Sequence, residues 1–362
     1  MKFILCADLH LKETEKEYCF SVLNEITGHC VEMKCEALLM AGDVFDSRDA
    51  VDKLRAGFRA ALERLPSSCR VYFLPGNHEE LRADGSASLA NFNFGSRVEL
   101  LDEKPYSLNT LDEKTELLAI PFQRDCSEYR SWEIPPKKKA LRILLAHGTV
   151  PGIIYTGPGE DTNGIIEGII DEDLFTHFNV DIAALGHLHE NILFRRGAVL
   201  AAYPGSARVW REGEAGKRKV LFCNTESMPL RLEPVVLASA GEYRVIPVFA
   251  SPEGELRLTL PPEISRADWL DLDVEGVVED ETLVIAALEK LKAEFAKNCR
   301  KLNYSTENLS VLAGVSTHPL ALSFLRSWED AAPRYAEEES GVYELARLQG
   351  LLSIKAILEK RR

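Results

Sequence analysis

His187 and His189 stand two residues apart in "ALGHLHEN", directly after a short apolar run. In an extended chain both imidazoles face one side and Leu188 the other. Paired imidazoles are metal-ligand chemistry, and the other polar residues that close apolar runs test that reading. They are Asp8 and His10 after "KFILCA", Asp43 after "EALLMAG", Asn77 and His78 after "RVYFLPG", and His147 after "RILLA". Five of the eight histidines fall in this set, while His29, His177 and His318 follow no such run and read as surface or loop residues. A mixture of imidazole and carboxylate suits Mn, Fe, Zn or Co better than Ca or Mg, which favour oxygen alone. Two such cations about 3.5 to 4 Å apart share one carboxylate, bind a substrate phosphate and create a hydroxide nucleophile near neutral pH. Asp43 suits the shared position, because the preceding Gly42 lets the backbone come close.

Each element alone has a plainer reading. Asp8 with His10 is the pattern of an N-cap or a surface hydrogen bond, and "GDVFD" that of a turn in which Asp43 and Asp46 cap backbone amides. "GNHE" reads as a turn into a helix with Glu79 and Glu80 in its first turn. Independent turns and caps, however, need not supply a complete two-metal ligand set in order along the chain.

The elements that must position these residues follow from the apolar pattern. Five runs, "KFILCAD", "EALLMAGD", "RVYFLPGNH", "RILLAH" and "VDIAALGH", are strand-length. Residues 13 to 33 are helix-length, and Val51, Leu54, Phe58, Ala61 and Leu65 recur at helical spacing. Strands alternating with helices make an α/β core, and open α/β sheets gather ligand residues at strand C-terminal ends. Residues 149 to 163 read as a long functional loop, and "AVLAAY" and "RKVLFC" as later strands. Composition shifts near residues 238 to 244. Beyond that point "DWLDLDVEG" alternates as a strand, and Val284, Leu288, Leu291 and Phe295 form one helical stripe. Two further helices follow, one with Phe324, Leu325 and Trp328, the other with Leu345, Leu348, Leu352 and Ala356.

The chain has 362 residues, 46% of them hydrophobic and 28% charged, as in globular proteins generally. Its longest apolar runs fall short of the roughly 18 residues of a membrane span, and the N-terminal run is too short for a signal peptide. The eight cysteines are scattered without a CxxC pair, so reduced thiols and a cytoplasmic setting are expected. The net charge of −14 argues against a passive DNA binder. It leaves DNA open as a substrate, because metal cations and basic patches offset bulk charge locally.

In order, D-x-H, G-D-x-x-D, G-N-H-[DE], H and G-H-x-H over residues 8 to 189 resemble the motif set of the calcineurin-like metallophosphoesterases. More narrowly, "ADLHL", "AGDVFD", "PGNHE", "AHGTV" and "YPGSARVW" are similar to the SbcD-type nuclease subunits of DNA repair complexes. The resemblance implies an α/β/β/α sandwich of two packed mixed sheets over residues 1–240. It also implies an α+β cap over 241–310 and a C-terminal helical segment over 311–362. Asp8, His10 and His189 would hold one metal, Asn77, His147 and His187 the other, with Asp43 bridging and Mn2+ the expected ion. His78 would stabilise the transition state or protonate the leaving oxygen, with Asp46 orienting it. Arg48, Arg208 and Arg211 are candidate DNA contacts, alongside Lys137 to Lys139, Lys217, Arg218 and Lys219. The implied activity is that of a DNA exonuclease and endonuclease, working as a homodimer with an SbcC-like SMC-type ATPase on the terminal helices and independent of membranes. Two other readings stand beside it: a small-molecule phosphomonoesterase or nucleotide phosphodiesterase, and a non-catalytic scaffold.

Overall fold

The computed structural model describes residues 1–79, 89–154, 168–251, 253–312, 315, 318–331 and 340–360. Glu80 and residues 155–163 of the expected long loop lie outside these. The chain folds as two compact units, Met1–Tyr243 and Arg244–Arg362.

The first unit opens with β1 (Lys2–Cys6), α1 (Lys16–Glu32), β2 (Ala37–Ala41), α2 (Arg48–Leu62), β3 (Arg70–Leu74) and β4 (Val98–Leu100). It continues with β5 (Ser107–Thr110), β6 (Thr115–Ile120), β7 (Leu141–His147), α3 (Asp173–His177) and β8 (Ile182–Gly186). It ends with β9 (Ile192–Arg196), β10 (Val199–Tyr203), β11 (Gly216–Lys217), β12 (Lys219–Asn224) and β13 (Glu233–Val236). Two six-stranded mixed sheets result, ordered β13-β12-β1-β2-β3-β4 and β5-β6-β7-β8-β10-β9.

Alternation along the strands shows how the sheets are layered. Ile4, Cys6, Leu38, Met40, Val71 and Phe73 pack with Val22, Leu23, Val51 and Phe58 of α1 and α2. Their neighbours Phe3, Leu5, Leu39 and Leu74 pack instead with Leu117, Ile143, Leu145 and Ile182 of the second sheet. Leu118, Leu144, Ala183 and Leu185 face outward from that sheet onto Leu174 and Phe175 of α3. The period of two thus puts one apolar set between the sheets and another beneath the helices, which makes an α/β/β/α sandwich.

Within the first sheet β1, β2, β3 and β4 run parallel, and within the second β6, β7, β8 and β10 do. The residues after β1, β2, β3, β7 and β8 therefore leave their sheets at C-terminal ends. Ser47 caps α2 by accepting a hydrogen bond from Ala50 N, so the turn after Asp43 is closed within four residues.

β14 (Glu242–Ala250) leads from the first unit into the second, which adds β15 (Leu256–Leu258), β16 (Trp269–Val278), α4 (Glu281–Phe295), β17 (Lys301–Ser305) and β18 (Leu309–Val311). Strands β14, β16 and β17 are neighbours in its sheet, and Val284 and Leu288 of α4 pack on Leu270, Leu272 and Val274. α5 (Pro319–Ala331) and α6 (Ser340–Glu359) follow, with Ala321, Leu351 and Ile354 buried together.

Candidate metal centre

The loops that carry the polar residues are held in uncommon backbone conformations. Asp8, His10, Asp43 and His187 have φ of 51°, 44°, 50° and 104°. Only Lys34 and Asn179 join them among the described non-glycine residues. Each such conformation costs about 1–3 kcal/mol and persists where its surroundings enforce it. Here Asp8 N donates to Gly42 O at 3.0 Å and His10 N to Asp43 O at 2.9 Å, lashing the β1 loop to the β2 loop. His187 N donates to both carboxylate oxygens of Asp8 at 3.1 Å, which joins the second sheet to the first. Glycine is required where the sheets meet. A Cβ on Gly42 would lie 2.1 Å from His147 Nδ1, and one on Gly186 would lie 1.8 Å from Ala41 O.

These constraints bring the ligating atoms of seven side chains together. Asp8, His10 and His189 offer three atoms all within 4.8 Å of one another, as do Asp8, Asp43 and His147. His10 Nε2 and His189 Nε2 are 3.3 Å apart, the separation of two ligands on one small cation. Asn77 Oδ1 lies 2.9 Å from His147 Nε2 and 3.3 Å from His187 Nδ1. Between the two groups sits Asp43, whose Oδ1 accepts from His78 N at 2.9 Å. Its Oδ2 is buried, accepts no hydrogen bond among the described residues, and lies 3.4 Å from His147 Nε2 and 4.0 Å from His10 Nε2.

The tautomers are set from outside the cluster. His147 Nδ1–H donates to Ala41 O at 2.8 Å, and His189 Nδ1–H to the buried Glu214 carboxylate at 2.6 Å, so each turns its Nε2 lone pair inward. Two acceptors, Asn77 Oδ1 and Asp43 Oδ2, then face His147 Nε2, an arrangement that only a proton or a cation relieves. Burial disfavours a His147 imidazolium, but Asp43 and then Asp8 outweigh it and raise the group to about 10. Burial lifts Asp8 to about 7 against the pull of His189 and His147, and it depresses His187 to about 3 with help from His147. Burial also opposes the Asp43 carboxylate, yet His147, His10 and His78 hold it far below the usual carboxylate range. The donor set and the orphaned Asp43 oxygen fit divalent cations.

The calcineurin-like phosphoesterase family model matches residues 1–191, more than half of the chain. This chain is a calcineurin-like phosphoesterase. It is 26% identical over 227 residues to the DNA double-strand break repair protein Mre11 of Methanocaldococcus jannaschii, a match covering 58% of this chain and 57% of that protein. Among solved structures, a dimetal phosphatase from Danio rerio shares 11% identity at a TM-score of 0.39, covering 66% of this chain and 98% of that one. The phosphopantetheinyl hydrolase of Mycobacterium tuberculosis shares 15% at 0.38, covering 65% and 95%.

Several residues of the phosphoesterase do not stand where their sequence suggests. Arg208, a candidate DNA contact, is fully buried. Its guanidinium donates to Leu9 O at 2.8 Å and His10 O at 2.7 Å and pairs with Glu15 at 2.8 Å, so it braces the first ligand loop and cannot reach a substrate. Arg208→Ala should strand these two carbonyls, at about 1–3 kcal/mol each. The urea midpoint should fall accordingly, with unfolding followed by circular dichroism. Arg218 is likewise buried, donating to His189 O and Ser206 Oγ. Lys137 pairs with Asp181, and Lys139 donates to Glu113 O. Arg48 lies over the Phe92 ring at 3.8 Å, and Arg211 over Trp210 at 4.0 Å. Asp46 meets His78 through its backbone: His78 Nδ1–H donates to Asp46 O at 2.8 Å. The Asp46 carboxylate turns instead to Trp210 Nε1 at 2.6 Å, because the short turn into α2 points the carbonyl inward.

Three residues of the site were not assigned from sequence. Glu79 is the first, and the helix that "GNHE" suggests would lie outside the described residues. Glu79 is buried, and its carboxylate accepts from Asp43 N at 3.0 Å, Phe45 N at 2.7 Å and Gly76 N at 2.8 Å, fixing both loops. Burial and then Asp43 lift it to about 8, against those amide bonds. Glu214 orients His189 and also accepts from Trp210 N at 2.7 Å. Trp210 stacks on His10 at 3.9 Å and 5°. An acid beside "GNH" and the "ARVWREGE" stretch after "YPGS" were the available signals. "YPGS" itself braces the loops: Tyr203 OH donates to Gly148 O and accepts from Val150 N, and Ser206 N donates to His189 O.

Proposed function

We propose that this phosphoesterase is a manganese-dependent DNA exonuclease and endonuclease that hydrolyses phosphodiester bonds in double-strand break repair, together with an SbcC-like SMC-type ATPase. Asp43 Oδ2 carries the catalytic part of the reading: a buried, unsatisfied carboxylate oxygen between His10 and His147 is where one residue would serve two cations. Asp8, His10 and His189 would complete one position, and Asn77, His147 and His187 the other. Bound there, the cations would supply Lewis acidity toward the phosphoryl oxygens and a lowered pKa for water. The side chains do the rest. His78 is held by its backbone N–H on Asp43 and by its Nδ1–H on the Asp46 carbonyl, so that in the imidazolium form the second proton, on Nε2, is the one it would give to the leaving oxygen. Asp8, through His187 N, and Glu79, through Asp43 N, Phe45 N and Gly76 N, lock together the loops that carry the ligands.

DNA as substrate is supported by the similarity to the archaeal break-repair protein, of which this chain spans 57%. The reading extends to a homodimeric, cytoplasmic assembly in which residues 241–310 guide DNA and residues 311–362 dock the ATPase. In the terminal helices Leu320, Leu322 and Ile357 remain exposed beside the buried Ala321 and Ile354. No helix among the described residues is long and apolar enough to cross a membrane. The net charge of −14, with Arg208 and Arg218 buried, favours a small phosphate ester as the second reading.

One assay separates the two. Purified protein with Mn2+ is given end-labelled double- and single-stranded DNA, and in parallel p-nitrophenyl phosphate and bis(p-nitrophenyl) phosphate, with His78→Ala as the contamination control. DNA degradation that His78→Ala abolishes is the expected result. Brisk monoester turnover with intact DNA would sink the nuclease reading and leave a small-molecule phosphatase.

A further inference from the structure

Trp210 occupies a position that none of the chemistry above uses. One face of its indole stacks on His10 at 3.9 Å and 5°. Because that face is filled, the Arg211 guanidinium at 4.0 Å lies on the other. The indole also meets His78 edge-on at 5.3 Å and His189 at 5.2 Å. Both ends of the residue are anchored on carboxylates. Nε1–H donates to Asp46 Oδ1 at 2.6 Å, and the backbone N–H donates to Glu214 Oε2 at 2.7 Å. Glu214 is the group that orients His189, and Asp46 carries the carbonyl that holds His78. One residue therefore connects three imidazoles through one ring and two hydrogen bonds. With both faces covered, the indole has none left on which a nucleobase could stack.

We propose that Trp210 is a positioning residue that fixes the His10 ring plane and couples the His10–His189 cation position to His78. The inference rests on the metal reading of the site. Its ring function belongs to the stack on His10, which has no hydrogen bond at Nδ1 among the described residues and so depends on packing for its orientation. Its linking function belongs to Nε1–H. The two are separable, because Trp210→Phe keeps an aromatic plane and deletes the donor, whereas Trp210→Ala deletes both.

Mn2+ binding to the purified full chain is read by calorimetry and by indole fluorescence, and hydrolysis of bis(p-nitrophenyl) phosphate is followed beside it. Trp210→Ala should bind Mn2+ about 10- to 100-fold more weakly, the usual cost of losing a group that orients a ligand. Trp210→Phe should bind within about threefold of wild type and lower kcat about tenfold with KM unchanged. Asp46→Ala should show the same kcat loss, and the Trp210→Phe/Asp46→Ala double variant no more than either alone. Paramagnetic Mn2+ should quench a saturable part of the fluorescence that Trp210→Phe lacks, which distinguishes positioning from a general folding defect. Wild-type Mn2+ affinity in Trp210→Ala, or an unchanged quench in Trp210→Phe, overturns the inference. Failure of the wild type to bind Mn2+ overturns it together with the metal reading. Failure of the wild type to cleave the ester while Trp210→Ala weakens Mn2+ binding removes only the esterase reading.

Discussion

Asp43→Asn should bind at most one Mn2+ per chain and hydrolyse esters at least about a thousandfold more slowly than wild type, since a metal contributes several kcal/mol to the transition state. The substitution is chosen for what it leaves in place. Asp43 Oδ1 accepts from His78 N, and the asparagine carbonyl can keep that bond. The backbone bonds that tie the loop, Asp43 N to Glu79 and His10 N to Asp43 O, do not involve the side chain. Only Oδ2 changes, from a buried anionic oxygen that accepts no hydrogen bond among the described residues into an amide that cannot serve two cations. Thermal unfolding should therefore move little while cation stoichiometry, read by calorimetry, falls. Two equivalents of Mn2+ bound at wild-type affinity by Asp43→Asn would mean that the shared position lies elsewhere.

The residues whose convergence is legible in the sequence are those where two constraints coincide. Asp8, Asn77 and His187 each follow an apolar strand and each carry a metal-ligand chemistry, so strand ends and ligand types point to the same places. Parallel pairing then makes their convergence a matter of topology. Arg208, misjudged as a DNA contact, carries ordinary charge, and its role depends on depth. Arg208 and Arg211 lie three residues apart in one basic stretch, yet one is wholly buried on the carbonyls of Leu9 and His10 and the other lies over Trp210. Nothing local distinguishes them, because the partners of Arg208 are about two hundred residues away in the chain. Glu79 was missed for the same reason: its three amide donors come from two separate loops. Strand β6, "TELLAI", is buried along its whole length and ends in no ligand, so neither alternation nor chemistry marked it.

The divided labour within "GNHE" gives the second large effect. Asn77 faces His147 and His187, Glu79 holds the loops, and His78 between them stands outside the proposed ligand set: its Nδ1–H goes to the Asp46 carbonyl, although one of its ring nitrogens lies within 4.8 Å of ligand atoms of His10 and Asp43. His78→Ala should therefore keep both Mn2+ equivalents and lose about 10²- to 10⁴-fold in kcat, the range of a positioned proton donor. Its backbone N–H to Asp43 survives the truncation, so cation affinity is the internal control. The size of the loss should depend on the leaving group. A nitrophenolate departs readily without a proton, whereas the alkoxide of a nucleoside needs one, so the variant should be far more damaged on DNA than on bis(p-nitrophenyl) phosphate. Equal losses on the two substrates would assign His78 to electrostatic stabilisation of the phosphorane charge, a role that does not depend on where the proton ends. The Asp46 carbonyl favours the first outcome, because by holding one proton on Nδ1 it leaves the second proton of the imidazolium, on Nε2, as the one to pass to the leaving oxygen.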